Sequence, residues 1–315
     1  MSKKGNFNKR AEALIDDFIT SKLGSANSLI LTIFGDSISA RDGVIWLGSL
    51  IKLVARLGIN QRLVRTSVFR LTENKILQSQ QIGRRSFYSL ADRGFRQFSS
   101  AAERIYRYHE QEWDGEWRLV FTTFKNIAAE DKERFQRELL WLGFNRLSAG
   151  VYAHPLANLD DVRTIIEEMA ISENVAMMQA NTIDDYPRKV SANLVEHCFN
   201  FEAIKVEYQE FIEFFEDILS AAEVAKEADK DAELCFLLRT ILTHKFRHLL
   251  LHEPELPPEL VPADCLSHQT REITERLYKL ITAKAEEHFA NVAEGQSGSL
   301  PELNDEYFTR FGGLG

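Results

Sequence analysis

Apolar residues at Leu47, Leu50, Ile51, Val54 and Leu57 recur at intervals of three and four, which predicts a helix over 45–57. Gly58 is placed to end it, and Asn60 to cap a second helix over 61–74. A connection of about three residues between two such helices is that of a helix-turn-helix. Upstream, Ser28 to Phe34 is an apolar run with Ser28 as its cap, and Gly35-Asp36-Ser37 breaks it. Downstream, residues 76–80 and 86–90 read as two strands around Gly83, with Phe87 and Tyr88 set against Ser86 and Ser89. A hairpin directly after the helix pair predicts the winged form.

The pattern then changes. Residues 95–109 read as a linking helix. After it come a strand (116–124), an amphipathic helix (131–142) ended by Gly143, a strand-like run (147–153), a helix (160–169) and a short strand (174–180). This alternation predicts a small ferredoxin-like β-α-β-β-α-β sandwich, with one strand not visible. From Ser191 the chain reads as helices: 194–222, rich in aromatics, then 233–251 and 269–289. Pro254, Pro257, Pro258 and Pro262 mark an extended connection between the last two, and the final residues read as a loose tail. The expected fold is therefore α+β and multidomain. A basic arm (1–27) precedes a winged helix-turn-helix (28–94) and a linking helix (95–112). A ferredoxin-like centre (113–188) and an all-helical effector and dimerisation domain (189–315) follow.

A net charge of −9 argues against nucleic acid until its distribution is considered. Residues 1–110 hold 18 Lys and Arg against 9 Asp and Glu, whereas residues 111–315 hold 20 against 38. A basic segment on an acidic body suits a protein that meets a polyanion through one domain only. The second helix supplies the means. Val64, Val68 and Leu71 form its inner stripe, while Arg62, Arg65, Thr66 and Arg70 lie largely outside it, with no acid before Glu73. Such a surface suits base edges and phosphates in a major groove, and Arg84 and Arg85 at the hairpin tip suit the adjoining backbone or minor groove. Lys3, Lys4, Lys9 and Arg10 form either a solvated end or a disordered arm that brushes phosphate.

Other classes find less support. No run of about 18 apolar residues is present to span a membrane, and no apolar segment follows the basic N-terminus as in a secretory signal. Three unevenly spaced cysteines, Cys198, Cys235 and Cys265, fit a reducing cytoplasm.

The residues also carry a resemblance. Val64-Arg65-Thr66-Ser67-Val68-Phe69-Arg70-Leu71, then Gly83-Arg84-Arg85-Ser86-Phe87-Tyr88-Ser89-Leu90 and Gly94, resemble the N-terminal signature of the phenylacetic-acid-degradation repressors, the PaaX type. Trp46-Leu47-Gly48-Ser49-Leu50-Ile51 fits the first helix of that domain. Trp113-Asp114-Gly115 with Trp117-Arg118-Leu119-Val120 resembles the start of the family's central domain. Arg239 to Arg247, with Pro254 and Leu256-Pro257-Pro258-Glu259-Leu260, resembles its helical effector domain. The resemblance implies a homodimeric repressor of phenylacetate catabolic genes. Such a repressor binds double-stranded operator DNA and is released by phenylacetyl-coenzyme A, or by another acyl-coenzyme A in some relatives.

Several motifs compete with this reading. Phe34-Gly35-Asp36-Ser37 looks like the nucleophile block of a GDS-type esterase, but Asp264 and His268 are one residue too far apart to complete it. The plainer expectation is a helix-ending turn. His244, His248 and His252 recur every four residues without a carboxylate or cysteine to complete a metal site. A nuclease-like role for the centre has no acid pair to carry it. No catalytic residue, metal or cofactor is therefore expected. The cluster of Arg239, His244, Lys245 and Arg247 is a candidate site for the phosphates of an acyl-coenzyme A effector, with pairing to the chain's own acids as the alternative. The aromatic stripe from Phe199 to Phe215 is expected as core or dimer interface rather than as a phenylacetyl pocket.

Overall fold

A computed structural model of the 315-residue chain describes residues 4–21, 25–41, 43–107, 113–123, 127–181, 195, 199, 201–251, 253, 256–262, 265–298 and 300–314. The chain forms two compact units. One contains residues 1–108, 207–251 and 266–315; the other contains residues 109–206 and 252–265. The first unit thus joins the N-terminal segment to most of the C-terminal helices.

The first unit opens on α1 (Lys4–Thr20). Phe7, Ala11, Leu14, Ile15 and Phe18 fall on one helical face and are buried. α1 packs against α9 (Ala232–Leu250). The Asn8 amide meets the backbone of Asp229 and Asp231, and Arg10 pairs with Asp217. The expected solvated or disordered arm is thus a docked helix from Lys4 onward, because its apolar residues have a face to bury. Lys3 lies outside the described residues.

α2 (Ala26–Ile33) is capped by Ser25, whose hydroxyl accepts from Ser28 N at 3.2 Å, so Ser28 lies inside the helix rather than at its cap. The helix does not end at Gly35. It widens into a π-turn over Phe34–Ile38, with Ser39 N donating to Phe34 O at 2.8 Å. The expected helix-ending turn is therefore absent, and Asp36 and Ser37 point into the interior, 2% and 0% exposed.

β1 (Ile45–Trp46) pairs with β3 (Arg85–Leu90), which also pairs with β2 (Leu77–Ile82), giving an antiparallel sheet of order β1-β3-β2. Ile45 and Trp46, expected at the start of a helix, face Tyr88 and Phe87 across the sheet instead. α3 (Leu47–Val54) begins only after them, and α4 (Gln61–Glu73) follows. α5 (Asp92–Tyr106) leaves β3 and buries Ile105 and Tyr106 at its far end.

Residues 207–224 of α8 (Phe201–Val224), together with α9 and α10 (Ser267–Val292), complete this unit. α9 lies against α10, α1, α2 and α5. Tyr208, Phe211 and Phe215 are core residues here. The expected loose tail is also packed: Tyr307 in α11 (Asp305–Phe308) and Arg310 just after it are only 2% and 7% exposed.

The second unit contains β4 (Trp117–Thr122), α6 (Ala129–Trp141), β5 (Asn145–Ser148), β6 (Val151–His154), α7 (Leu159–Glu168) and β7 (Val175–Ala180). All pairings are antiparallel, in the order β5-β6-β4-β7. The strand missing from the sequence pattern is here. The run over 147–153 is not one strand but parts of β5 and β6, joined by a turn at Ala149-Gly150. Val120 and Tyr152 face a core with Phe135 and Leu139 of α6 and Val162 and Ile166 of α7. Trp117 and Ala153 alternate to the other face, which Val195, Phe199, Phe201 and Leu260 cover. Among the described residues no helix is long and apolar enough to cross a membrane.

Candidate functional site

The helix pair is fixed by its short connection. α3 tightens into a single 3₁₀ turn over Ala55–Leu57, and Gly58 ends that turn at φ 74°, a left-handed conformation that favours glycine. Ile59 is buried beside it, and Asn60 Oδ1 accepts from Leu63 N at 2.9 Å to start α4. Val64, Ser67, Val68 and Leu71 form the buried face of α4. Arg62, Arg65 and Arg70 are exposed, and Thr66 is half-buried, its hydroxyl donating to Arg62 O at 3.0 Å. Arg62 and Arg70 have no ion pair or hydrogen bond through their side chains among the described residues. With the Gln61 amide turned to satisfy both groups, its oxygen accepts from Arg65 Nε and Nη2 at 3.3 and 3.0 Å.

The hairpin places its two arginines differently. Gly83 and Arg84 form its two-residue turn, with Gly83 at φ 60° as such turns require, and Arg84 stands exposed there. Arg85 begins β3 and is tethered. Its guanidinium lies 4.5 Å from the Trp46 ring centroid, and Nη1 donates to Glu294 Oε2 at 2.7 Å. The segment after α10 holds the hairpin further. Trp46 N donates to Glu294 O, Glu294 N to Ser49 Oγ, and Gln296 Nε2 to Gln80 Oε1. No local pattern marked Glu294 or Gln296, because their partners lie more than two hundred residues away. At the hairpin's base, a side chain on Gly94 would place its Cβ 2.2 Å from Ile76 O, so only glycine lets α5 leave so close to β2.

The four candidate effector residues all lie on α9 but do not share a surface. Arg239 is fully buried. Its Nε lies 3.0 Å from Asp36 Oδ2, and Nη2 lies 2.7 Å from Glu286 Oε1. Nη2 also donates to Ser37 Oγ, and Nη1 to Tyr307 Oη. Arg310 Nη1, Tyr106 Oη and Tyr278 Oη complete the surroundings of Asp36. Burial alone would push the Glu286 carboxyl up, but Arg239 and Arg41 hold it below its usual range. Pairing with the chain's own acids is thus what occupies Arg239. His244 is also fully buried, its Nδ1 3.3 Å from Thr32 Oγ1 and its ring edge-on to Phe18. Lys245 is half-buried with its ammonium 4.4 Å from the Phe214 ring centroid, and burial pushes its pKa down. Arg247 Nη2 donates to Ser28 O and Oγ at 3.2 and 2.6 Å.

The motif Phe34-Gly35-Asp36-Ser37 belongs to the same interior. Ser37 Oγ donates to Asp36 Oδ2 at 3.3 Å, and neither residue faces solvent. Among the described residues no three His, Cys, Asp or Glu side chains converge as a metal site. His252, Asp264 and Cys198 lie outside the described residues. Cys235 is buried, which pushes its thiol up to about 12.

Comparison with known proteins bears on the whole chain. Residues 25–94 match the family described as PaaX-like protein, 110–192 the PaaX protein central Cas2-like domain, and 199–291 the PaaX-like protein C-terminal domain. The transcriptional repressor PaaX of Escherichia coli (strain K12) is 34% identical over 290 residues, covering 92% of this chain and 91% of that protein. The chain belongs to the PaaX family. A solved structure, the uncharacterized protein Rv0674 from Mycobacterium tuberculosis, is also similar. It has 22% identity and a TM-score of 0.49, over 76% of this chain and 87% of that one. The first PaaX match contains α2 to β3 and the start of α5, and so all six basic-surface candidates from Arg62 to Arg85.

Proposed function

We propose that this chain is a transcriptional repressor that binds double-stranded operator DNA through a winged helix-turn-helix over residues 28–94. In this reading α3 and α4 are the helix pair, α4 is the recognition helix and β2–β3 the wing. One observation carries it. The face of α4 opposite its buried stripe presents Arg62, Arg65 and Arg70 to solvent with no acid before Glu73, and Arg84 stands exposed on the neighbouring hairpin. Long donors of one sign on an exposed helix, beside a basic turn, match the geometry by which a helix reads a major groove. Membership of the PaaX family supports the same reading.

The repressor acts in the cytoplasm as a homodimer that sets two α4 helices in successive major grooves, about one helical turn of DNA apart. Phenylacetyl-coenzyme A releases it, as the family resemblance implies, by binding better to a state that does not hold DNA. A release mechanism of this kind does not require Arg239 or His244 to face the ligand. Lys245 and Arg247, both half-buried, are the candidates left at the surface of α9.

A gel-shift assay on the gene's own upstream DNA, with a panel of acyl-coenzyme A thioesters, tests both parts. Retardation is expected, and phenylacetyl-coenzyme A but not acetyl-coenzyme A should abolish it. No retardation at low salt would remove the DNA reading, and retention with every thioester would remove the effector. Replacing Arg65 with Ala should weaken binding about ten-fold while leaving the thermal unfolding curve in place.

A further inference from the structure

α4 exposes two large apolar side chains, Leu63 on its flank and Phe69 among the arginines, and Phe69 is the more exposed. Phe69 is 63% exposed. It precedes the buried Leu71 by two residues and thus lies about 200° round the helix from it, at the centre of the outer face. Arg65 and Thr66 lie one turn before it, Arg62 two turns before, Arg70 next to it and the exposed Glu73 one turn after it. A helix that needed only solubility here would carry a polar side chain. A single exposed aromatic is common on protein surfaces, but this one stands in the middle of the face that presents the long basic side chains of α4, where an apolar contact with DNA can be made.

The charge around Phe69 decides what that is. In a two-fold dimer built on this face the patch would meet its own copy, bringing three arginines and one glutamate (Arg62, Arg65, Arg70 and Glu73) against the same set, a net excess of positive charge on both sides. A polyanion is favoured where a second copy is repelled. The ring itself can neither donate to nor accept from a phosphate. The matching surface within a major groove is apolar, and the groove offers one such group, the C5-methyl of thymine.

Resting on the DNA-binding reading above, we infer that Phe69 is a specificity residue that packs on a thymine methyl in each operator half-site. The flanking arginines fix the register of α4 and supply hydrogen bonds, while Phe69 distinguishes thymine from the other bases at one position.

The test uses the full chain. Duplexes that bind it are selected from a random pool, and each thymine of the tightest site is replaced in turn by deoxyuridine, which lacks only the methyl group. The wild-type protein should lose about four-fold in affinity at one position per half-site, the value of one buried methyl group. Phe69→Ala should bind more weakly overall and be indifferent to deoxyuridine at that position. Phe69→Leu should retain part of the discrimination. Because Phe69 is largely exposed, its variants should unfold at the wild-type temperature, and a melting curve checks this. Affinity unchanged at every substituted position would overturn the inference, as would an alanine variant as sensitive as wild type. So would a change in oligomeric state of Phe69→Ala without DNA, which would assign the ring to a protein contact. If the wild-type chain selects no sequence and retards no duplex, the repressor reading itself fails, a result distinct from these three.

Discussion

His154 is a base that the fold keeps neutral. Its Nδ1 accepts from Leu156 N at 2.9 Å and from Ala157 N at 2.7 Å, so the lone pair must lie there and the single proton on Nε2. The ring is buried, and burial, with a smaller contribution from the Arg118 guanidinium, pushes its pKa down to about 4. The unfolded chain therefore takes up a proton near pH 6.5 that the folded chain refuses until about 4. The stability this contributes is complete above the unfolded value and is lost progressively as pH falls through that window. Between pH 7.5 and 5.0 the loss should be about 2 kcal/mol. In His154→Asn the amide Oδ1 can accept the same two backbone groups without titrating. Urea unfolding of both proteins at both pH values should show the variant losing about 2 kcal/mol less. Equal losses would mean that His154 is protonated in the fold. Nothing in the sequence marked this residue, since a histidine at a strand end has no local signature of its acceptors.

At the scale of elements, local pattern was legible where both ends of an element are chemically marked. α4 lies between Asn60, whose side chain caps it, and a buried stripe with helical spacing, and its bounds followed from those residues. β1 has two residues and exists only through Tyr88 and Phe87 of β3, so periodicity absorbed it into the following helix. β5 and β6 read as one run in sequence because their turn, Ala149-Gly150, is only two residues long and carries no Asn, Asp or Pro. The same limit applies to the hairpin arginines, which are equivalent in sequence and unlike in space. Among the described residues the Arg84 charge has no partner, whereas Arg85 shares its charge with Glu294 and stacks on the Trp46 ring. Arg84→Ala should therefore lower the slope of log affinity against log salt by about 0.9 for each phosphate that Arg84 neutralises. Arg85→Ala should lower it less, and Glu294→Gln, by releasing Arg85, should raise affinity at low salt. Titrations of operator DNA at four or five salt concentrations measure all three. Equal slopes for the two alanine variants would show that the tether does not hold when DNA is present.

The whole molecule explains the two motifs that looked most like chemistry. Asp36 in the esterase-like block and Arg239 in the basic helix are partners, separated by about two hundred residues and joined in one interior. Both carboxylates of this cluster, Asp36 and Glu286, are paired with cations: Asp36 with Arg239 and Arg310, Glu286 with Arg239 and Arg41. A charge pattern in sequence records only that a cation is present. Whether it faces a ligand or an acid of its own chain depends on contacts that no window of sequence contains. The cluster also gives the C-terminal tail a purpose, because Tyr307 Oη donates to Glu286 and Arg310 Nη1 donates to the backbone oxygen of Asp36 and to Tyr278 Oη. Breaking a buried pair by removing one partner typically costs about 3–5 kcal/mol, since the remaining charge stays buried and uncompensated. Methionine is close to arginine in volume though two atoms shorter, so Arg239→Met leaves both carboxylates short of a cation and should destabilise the protein by that amount. Ending the chain at Leu303 removes Tyr307 and Arg310 together and should act in the same direction. Adding Asp36→Asn and Glu286→Gln to Arg239→Met removes the orphaned charges and should recover part of the loss, which simple loss of packing would not allow. Urea unfolding of the four proteins measures each step. A triple variant no more stable than Arg239→Met alone would show that the arginine acts through its bulk rather than its charge.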